Sequence, residues 1–387
     1  MAEHQVASYK PRYIEIGINL ADPIFRGKYH GTQKHPDDLK AVVGRALQVG
    51  CSKLIVTGSD LETARDALKL AQEYPGTIFA TAGIHPCSSS IFGSGATTNG
   101  DAHTPLCDSN PSAPVSEFQK PNSTRSTAII SELTALITEE SKSHCNRLVA
   151  FGEFGLDYDR LHYCNKTLQL HSFELQLRLA ASLDSQLPLF LHSRAAHSDF
   201  VSLLKTVYGD QLERLDKGGV VHSFTGSAEE MAELMDLGLY IGINGCSFKT
   251  AQNCAVVKGV RLDKIMLETD GPWCEVRPSH AGYKYLVQTK PTHKPGDKGK
   301  QLHTDHQPDP EIQGNKKQKK EAEVPEQFKV VKKEKWVQGA MVKGRNEPCN
   351  IERVAQIVAG IKGISLEEVC EAAWHNSVKV FGLGQAI

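Results

Sequence analysis

No apolar run in the 387-residue sequence approaches the length of about 18 residues that a membrane-spanning helix needs. The first residues, MAEHQVASYKPR, also lack the apolar core of a secretory signal. Ten cysteines are present but none is paired in a CxxC spacing, which argues against a zinc-finger or disulfide framework and suits a reducing compartment. We therefore expect an intracellular protein of the cytoplasm or nucleus. Neither sign of charge is in excess: 44 Lys+Arg against 45 Asp+Glu leave a net charge of −1. Nothing global marks an electropositive nucleic-acid binder, and any such surface must be local. There is no GxSxG elbow, no GxxxxGK[ST] phosphate loop and no strand followed by GxGxxG.

What is there is a rhythm. Short apolar runs rich in β-branched residues recur near 13–18, 53–57, 77–83, 148–152, 188–192, 219–222, 239–243 and 264–269. Most are followed by stretches of helical period, such as Leu39, Val42, Val43, Ala46 and Leu47, which fall on one stripe. Ser59-x-x-Glu62 and Ser227-x-x-Glu230 have the spacing of capping boxes and are expected to open helices. Eight strand–helix steps are the count at which a parallel sheet closes on a filled interior, so the expected fold is α/β, a single-domain TIM-like (β/α)8 barrel spanning 13–383. Two stretches break the rhythm. Residues 88–126 are rich in Ser, Thr, Pro, Gly and Asn, and residues 288–334 in Lys, Glu and Pro. Neither has the apolar surface to offset its ordering entropy, so both are expected as disordered or loosely packed loop insertions. The basic cluster Lys316, Lys317, Lys319 and Lys320 reads as a solvated loop, a nuclear-import signal or a nucleic-acid contact.

Ionisable residues gather where barrel enzymes keep their chemistry, at the C-terminal ends of the strands. The third strand leads into Gly83-Ile-His85-Pro86, the fourth into Gly152-Glu153-Phe154-Gly155-Leu156-Asp157 and the fifth into Leu191-His192-Ser193-Arg194. The sixth ends in Val221-His222-Ser223, and the eighth in Glu268-Thr269-Asp270-Gly271. One such histidine alone is more often a hydrogen-bonded core residue than a ligand. Two histidines and two carboxylates converging on one mouth would repel or stay desolvated without a cation to organise them. The expected metal ligands are therefore Glu153, His192, His222 and Asp270. Mixed imidazole and carboxylate donors suit Zn²⁺, Mn²⁺ or Fe²⁺, whereas Mg²⁺ would lean on the carboxylates. A bound cation makes hydrolysis the default reaction, with Asp270 as general base and partial ligand and Glu153 able to bridge two ions. His85 could hydrogen-bond a leaving group or phosphate, or orient the loop before Pro86. Arg160 and Arg194 are candidates for a phosphate clamp, or surface ion-pair partners.

These segments resemble the TatD family of metal-dependent deoxyribonucleases within the amidohydrolase-like barrels. The matching pieces are Tyr13-Ile-Glu-Ile-Gly-Ile-Asn-Leu20, GIHP, GEFGLDYDR, FLHSR, VVHSFTG, YIGINGCS, LETDGPW and Arg345-Asn-Glu-Pro348. GINL and Asp22-Pro-Ile-Phe-Arg-Gly27 look closest to the eukaryotic TatD domain-containing branch. The resemblance implies Mg²⁺-dependent 3′→5′ exonuclease action on DNA, linked to repair and DNA fragmentation. It implies metal ligation by Glu153, His192, His222 and Asp270, with His85 near the substrate. Most relatives end the first strand in His-x-His, completing a binuclear site; here those places hold Gly17 and Asn19. Fewer nitrogen donors favour exchangeable Mg²⁺ or Mn²⁺ over tight Zn²⁺, as one or two ions.

The leading reading is a phosphodiesterase acting on single-stranded DNA or DNA 3′ ends. Hydrolysis of an amide or ester, such as an aminoacyl-tRNA linkage, is the alternative within the enzymes, because fold does not dictate substrate. A nucleic-acid-binding barrel with weak turnover is the alternative outside them.

Overall fold

The computed structural model describes residues 9–94, 120–143, 145–288, 324 and 327–384. Among the described residues, eight strands pair in chain order in one parallel sheet: β1 (Tyr13–Ile18), β2 (Cys51–Val56), β3 (Ile78–Ala82), β4 (Leu148–Asp157), β5 (Leu189–Arg194), β6 (Gly219–Val221), β7 (Tyr240–Ile243) and β8 (Ile265–Leu267). The helices between and after them are α1 (Leu39–Gln48), α2 (Leu61–Glu73), α3 (Ser123–Lys142), α4 (Lys166–Ser182), α5 (His197–Tyr208), α6 (Ala228–Asp236), α7 (Ala251–Gly259), α8 (Lys284–Gln288), α9 (Ile351–Lys362) and α10 (Leu366–Phe381). The last strand curls back to the first. Asp270 N–H donates to the Gly17 carbonyl at 2.9 Å and Asn19 N–H to the Gly271 carbonyl at 2.9 Å, closing a TIM-like (β/α)8 barrel.

Two apolar layers follow from strands that are buried on both faces. Ile14, Ile16, Ile55, Phe79, Val149, Phe190, Val220, Tyr240 and Met266, drawn from every strand, form the interior cluster, and Val380, Phe381 and Leu383 at the end of α10 close it. The outer faces pack against the helices through residues such as Leu54, Val56, Leu191, Ile241 and Leu267. All eight expected strands are present, with edges shifted by a few residues.

The largest shift is in β4, which runs to Asp157 instead of ending at 152. Its extension depends on glycine: a Cβ on Gly152 or Gly155 would strike the carbonyl oxygens of Phe190 and His192 on β5. The register slips between Gly152 and Phe154, so Glu153 is the extra, bulged residue of the ladder. A bulge re-aims its side chain, here into the mouth of the barrel.

Ser227 and Glu230 form the expected reciprocal cap of α6, with Glu230 N–H donating to Ser227 Oγ at 3.2 Å and Ser227 N–H to Glu230 Oε2 at 2.8 Å. The Ser59/Glu62 box does not form. Asp60 caps α2, accepting from Thr63 N–H at 2.8 Å while its own N–H donates to Thr63 Oγ1 at 2.9 Å. An aspartate one place along reaches the N3 amide better and displaces the serine.

The expected insertions are also narrower than their composition suggested. Residues 88–92 belong to a 3₁₀ turn, Pro86–Phe92, in which Phe92 is buried against Ile84, Cys164 and Leu168. Asn122 accepts from Arg125 N–H at 3.0 Å and so caps α3, whose first turn covers 123–126. Val330–Val331 pairs in parallel with Met341–Val342. A few buried apolar side chains and one cap suffice to tie down edges that look polar in bulk. Residues 95–119 and 289–323, with Lys316, Lys317, Lys319 and Lys320, lie outside the described residues. Among the described residues, no helix is long and apolar enough to cross a membrane.

Candidate active site

His85, Glu153, Arg160, His192, Arg194, His222 and Asp270 all line one cavity at the C-terminal mouth of the barrel, together with Asn19, Ser59, Ser223 and Trp273. The strands deliver them in a ring, His192 within β5, His222 directly after β6 and Asp270 beyond β8. Ala195, Ser223 and Asp270, just beyond β5, β6 and β8, take left-handed backbone at φ 51°, 50° and 52°. Non-glycine residues hold that conformation only where their surroundings over-determine it, and such positions cluster at functional sites.

The centre is Glu153 Oε1. His222 Nε2 stands 2.7 Å from it, His192 Nδ1 3.1 Å and His85 Nε2 3.3 Å, and the His192 and His222 nitrogens are 3.3 Å apart. Burial opposes charge on both Glu153 and His222. The attraction of His222 and His85 and the hydrogen bonds of His192 and His222 nevertheless hold the Glu153 carboxyl well below its usual range. Glu153 and Glu268 hold His222 well above the ordinary histidine range despite its burial. A protonated His222 would direct its Nε2–H at Glu153 Oε1, beside His192 Nδ1.

That donor set fits a divalent cation, which could replace this proton: two imidazole nitrogens and a carboxylate oxygen converge, and Asp270 lines the same cavity. His85, Glu153 and His192 have ligand atoms that all lie within 4.8 Å of one another. We exclude His85 from the ligands on its hydrogen bonds. Its Nδ1 accepts from Cys87 N–H at 3.1 Å, so its proton sits on Nε2, facing Glu153. Burial keeps that imidazole neutral by lowering its pKa. His85 is thus tied through Nδ1 to the turn after Pro86, and its Nε2–H faces Glu153 Oε1 at 3.3 Å in the cavity.

The outer contacts are built from residues that sequence reasoning left without a role. His192 Nε2 meets Asp157 Oδ2 at 3.1 Å. Burial opposes the charge on Asp157, but His192, Arg194 and Arg160 bring its pKa down to about 2. Arg160 and Arg194 approach that same Oδ2 at 3.7 and 3.9 Å, so they serve Asp157 as well as lining the cavity. Glu268 lies 3.4 Å from His222 Nδ1 and accepts from Ser223 N–H and, at 3.3 Å, from Asn244 Nδ2. Glu15 accepts from Thr269 N–H at 2.8 and 2.9 Å, and burial raises its pKa well above the ordinary range. A carboxylate embedded in an apolar strand, as in YIEIGI and IMLET, is the signal that could have found Glu15 and Glu268, because a buried charge requires partners.

Asn19 directly follows β1. It donates from Nδ2 to Asp270 Oδ1 at 3.1 Å and accepts from Thr57 Oγ1 at 2.6 Å. It positions the aspartate. Asn346 of the Arg345-Asn-Glu-Pro348 motif donates to the carbonyls of Thr269 at 2.9 Å and Trp273 at 2.8 Å, clamping both ends of the Asp270 loop. Its neighbours anchor it: Arg345 bonds Asp38 at 2.8 and 2.6 Å and Glu347 at 2.9 Å, and Arg45 bonds Glu347 at 2.7 Å, all buried.

The family model described as TatD related DNase matches residues 29–382. The chain belongs to that family. TatD-related DNases are metal-dependent hydrolases of phosphodiester bonds, as the resemblance had implied. This TatD-family chain is similar to the Deoxyribonuclease Tat-D of Schizosaccharomyces pombe, 40% identical over 369 residues that make up 95% of each chain. A bacterial relative, the 3'-5' ssDNA/RNA exonuclease TatD of Edwardsiella piscicida, is 34% identical over 263 residues, 67% of this chain and 79% of its own. Among solved structures, an uncharacterized amidohydrolase from Saccharomyces cerevisiae superposes with a TM-score of 0.74 at 32% identity, covering 96% of this chain and all of its own.

Proposed function

We propose that this chain is a Mg²⁺-dependent 3′→5′ exonuclease that removes nucleotides from the ends of single-stranded DNA. The observation that carries it is the convergence of His192 Nδ1 and His222 Nε2 on Glu153 Oε1, at 3.1 and 2.7 Å, in a cavity that Asp270 and the neutral His85 also line. Glu153, His192, His222 and Asp270 would hold the cation. When bound, it lowers the pKa of water and polarises a phosphoryl oxygen. Asn19 in place of a histidine shifts the donors toward oxygen, which supports Mg²⁺, or Mn²⁺, over Zn²⁺.

The chain's own residues then have separable tasks. Asp270, steadied by Asn19, accepts the proton of the attacking water. His85 donates from Nε2–H to a non-bridging phosphate oxygen or to the leaving oxygen, where negative charge develops. Arg160 and Arg194 face the phosphate from the cavity wall while Asp157 sets their orientation. The bacterial relative's name supports the 3′→5′ direction and a single-stranded substrate. A role in DNA repair or fragmentation, in cytoplasm or nucleus, extends the same reading.

The test is incubation with end-labelled single-stranded DNA, with Mg²⁺ or with EDTA, comparing wild type and Asp270→Asn. Metal-dependent release of mononucleotides, progressing from the 3′ end and lost in the variant, is the expected result. Intact DNA at enzyme excess, with cleavage of an aminoacyl ester instead, would overturn it.

A further inference from the structure

Beside Asp270 two thiols from different parts of the chain touch. Cys246 sits in the 3₁₀ turn Gly245–Phe248 after β7 and is buried; Cys274 ends the loop that starts at Asp270 and is half-buried. Their Sγ atoms are 2.8 Å apart. The backbones are held together as closely, since a Cβ on Gly245 would strike the Cys274 carbonyl oxygen. Cys274 is itself in left-handed backbone at φ 56°. Its Sγ also lies 3.3 Å from Asp270 Oδ2, donating to that carboxylate. A partly accessible sulfur, a buried partner thiol already in contact, and a bond from one of them to Asp270 are three features that catalysis by the cavity residues does not use.

We propose that Cys246 and Cys274 are a reversible oxidation site that controls the Asp270 loop. Hydrogen peroxide oxidises the Cys274 thiol to the sulfenic acid and leaves as water. The Cys246 thiol then attacks the sulfenic sulfur, a second water departs and the disulfide forms. Two thiols give up two electrons and two hydrogens, and one peroxide becomes two waters. A dithiol reductant reverses the reaction by exchange. Reaching a sulfur–sulfur bond of about 2.05 Å needs further closure of roughly 0.8 Å, which falls on the less buried Cys274 side. Two effects on the site follow. The sulfur no longer carries the hydrogen it gives to Asp270, and the loop that bears Asp270 and Trp273 is tethered to the turn after β7. The control of activity rests on the proposed nuclease function; the cross-link does not.

The experiment uses the full chain, reduced, then exposed to a few equivalents of peroxide. The expected result is a mass lower by about 2 Da, a Cys246–Cys274 cross-linked peptide after digestion, and return to the starting mass with a dithiol. DNA hydrolysis falls by at least about ten-fold on oxidation, the scale of a misplaced catalytic group, and recovers with the reductant. Cys246→Ser keeps the activity of the reduced protein, forms no cross-link and gains oxygen on Cys274 instead. Oxygen addition to Cys274 in the wild type without the cross-link, or a cross-link between other cysteines, overturns the proposal. A Cys246–Cys274 cross-link with activity unchanged overturns the control. A reduced protein with no nuclease activity counts against the proposed function, while the mass result still decides the cross-link.

Discussion

The Glu268 carboxylate fills the place that a side chain at residue 17 would enter: a Cβ on Gly17 would lie 2.5 Å from Glu268 Oε2 and 3.2 Å from Phe190 Cζ. A histidine at residue 17 is thus excluded by a buried acid that holds His222 from behind. Gly17→Ala is expected to destabilise the fold by about 1–3 kcal/mol through overpacking. In a Glu268→Ala background the same substitution should cost less, because the closest clashing atom is gone and only the contact with Phe190 Cζ remains. Thermal unfolding of the four proteins measures the coupling, and additive effects would refute this account of residue 17.

Asp270→Asn keeps the size of the side chain and its bond from Asn19 but removes the base. The rate should fall by about 10²–10⁴-fold, with the fold intact by circular dichroism. A variant within three-fold of wild type would remove Asp270 from the proposed chemistry.

His85 and His192 approach the same carboxylate, but His85 accepts a backbone N–H on Nδ1 and so carries its proton on Nε2, whereas neither nitrogen of His192 accepts from the backbone. His192→Ala is expected to lose bound metal. His85→Ala should retain it and lose about 10–10³-fold in kcat, as for the removal of one donor to developing charge. Metal content by elemental analysis, set beside kcat, separates the roles; metal loss in both variants would make His85 a ligand after all.

The proton on His222 and the cation compete for one space. Because Glu153 and Glu268 raise the pKa of His222, the metal must displace a proton that is held to higher pH than on an ordinary histidine. Affinity should weaken as pH falls, by about ten-fold per unit if one proton is released. Calorimetry in buffers of different ionisation enthalpy counts the protons, and an affinity independent of pH would contradict the competition.

Asn346 does not itself line the cavity but fixes both carbonyls that bracket the Asp270 loop. Asn346→Ala leaves the buried Arg345 cluster in place and should lower kcat by about ten-fold or more with little change in metal binding. Loss of the fold alone, without a kcat effect at temperatures where the variant is folded, would assign Asn346 a purely structural task.

The barrel and the ring of residues lining its mouth were legible in the sequence because both are written in local signals: apolar runs of strand length, most of the site strands leading into a residue that apolar surroundings do not tolerate alone. His85, Glu153, His192, His222 and Asp270 all followed from that rule. Glu15 and Glu268 lie in strands that are otherwise apolar, and their meaning depends on neighbours across the barrel. Thr269, which donates to Glu15, is 254 positions away in sequence. The same holds for Asn346, whose motif could be matched but whose two acceptor carbonyls belong to a distant loop. β4 runs on past the expected end at 152 to Asp157, because Gly152 and Gly155 admit the neighbouring strand. The insertion edges were misread because Phe92 and Asn122 were averaged into polar surroundings.

The seam that joins the last strand to the first uses the amides of Asp270 and Asn19, a pair whose side chains also meet over the cavity. In the proposed chemistry, catalytic competence and ring closure are therefore one event at this edge. Any breathing that parts the seam disarms the enzyme before the rest of the barrel loosens, so amide hydrogen exchange at Asn19 and Asp270 and loss of turnover on heating should run in parallel.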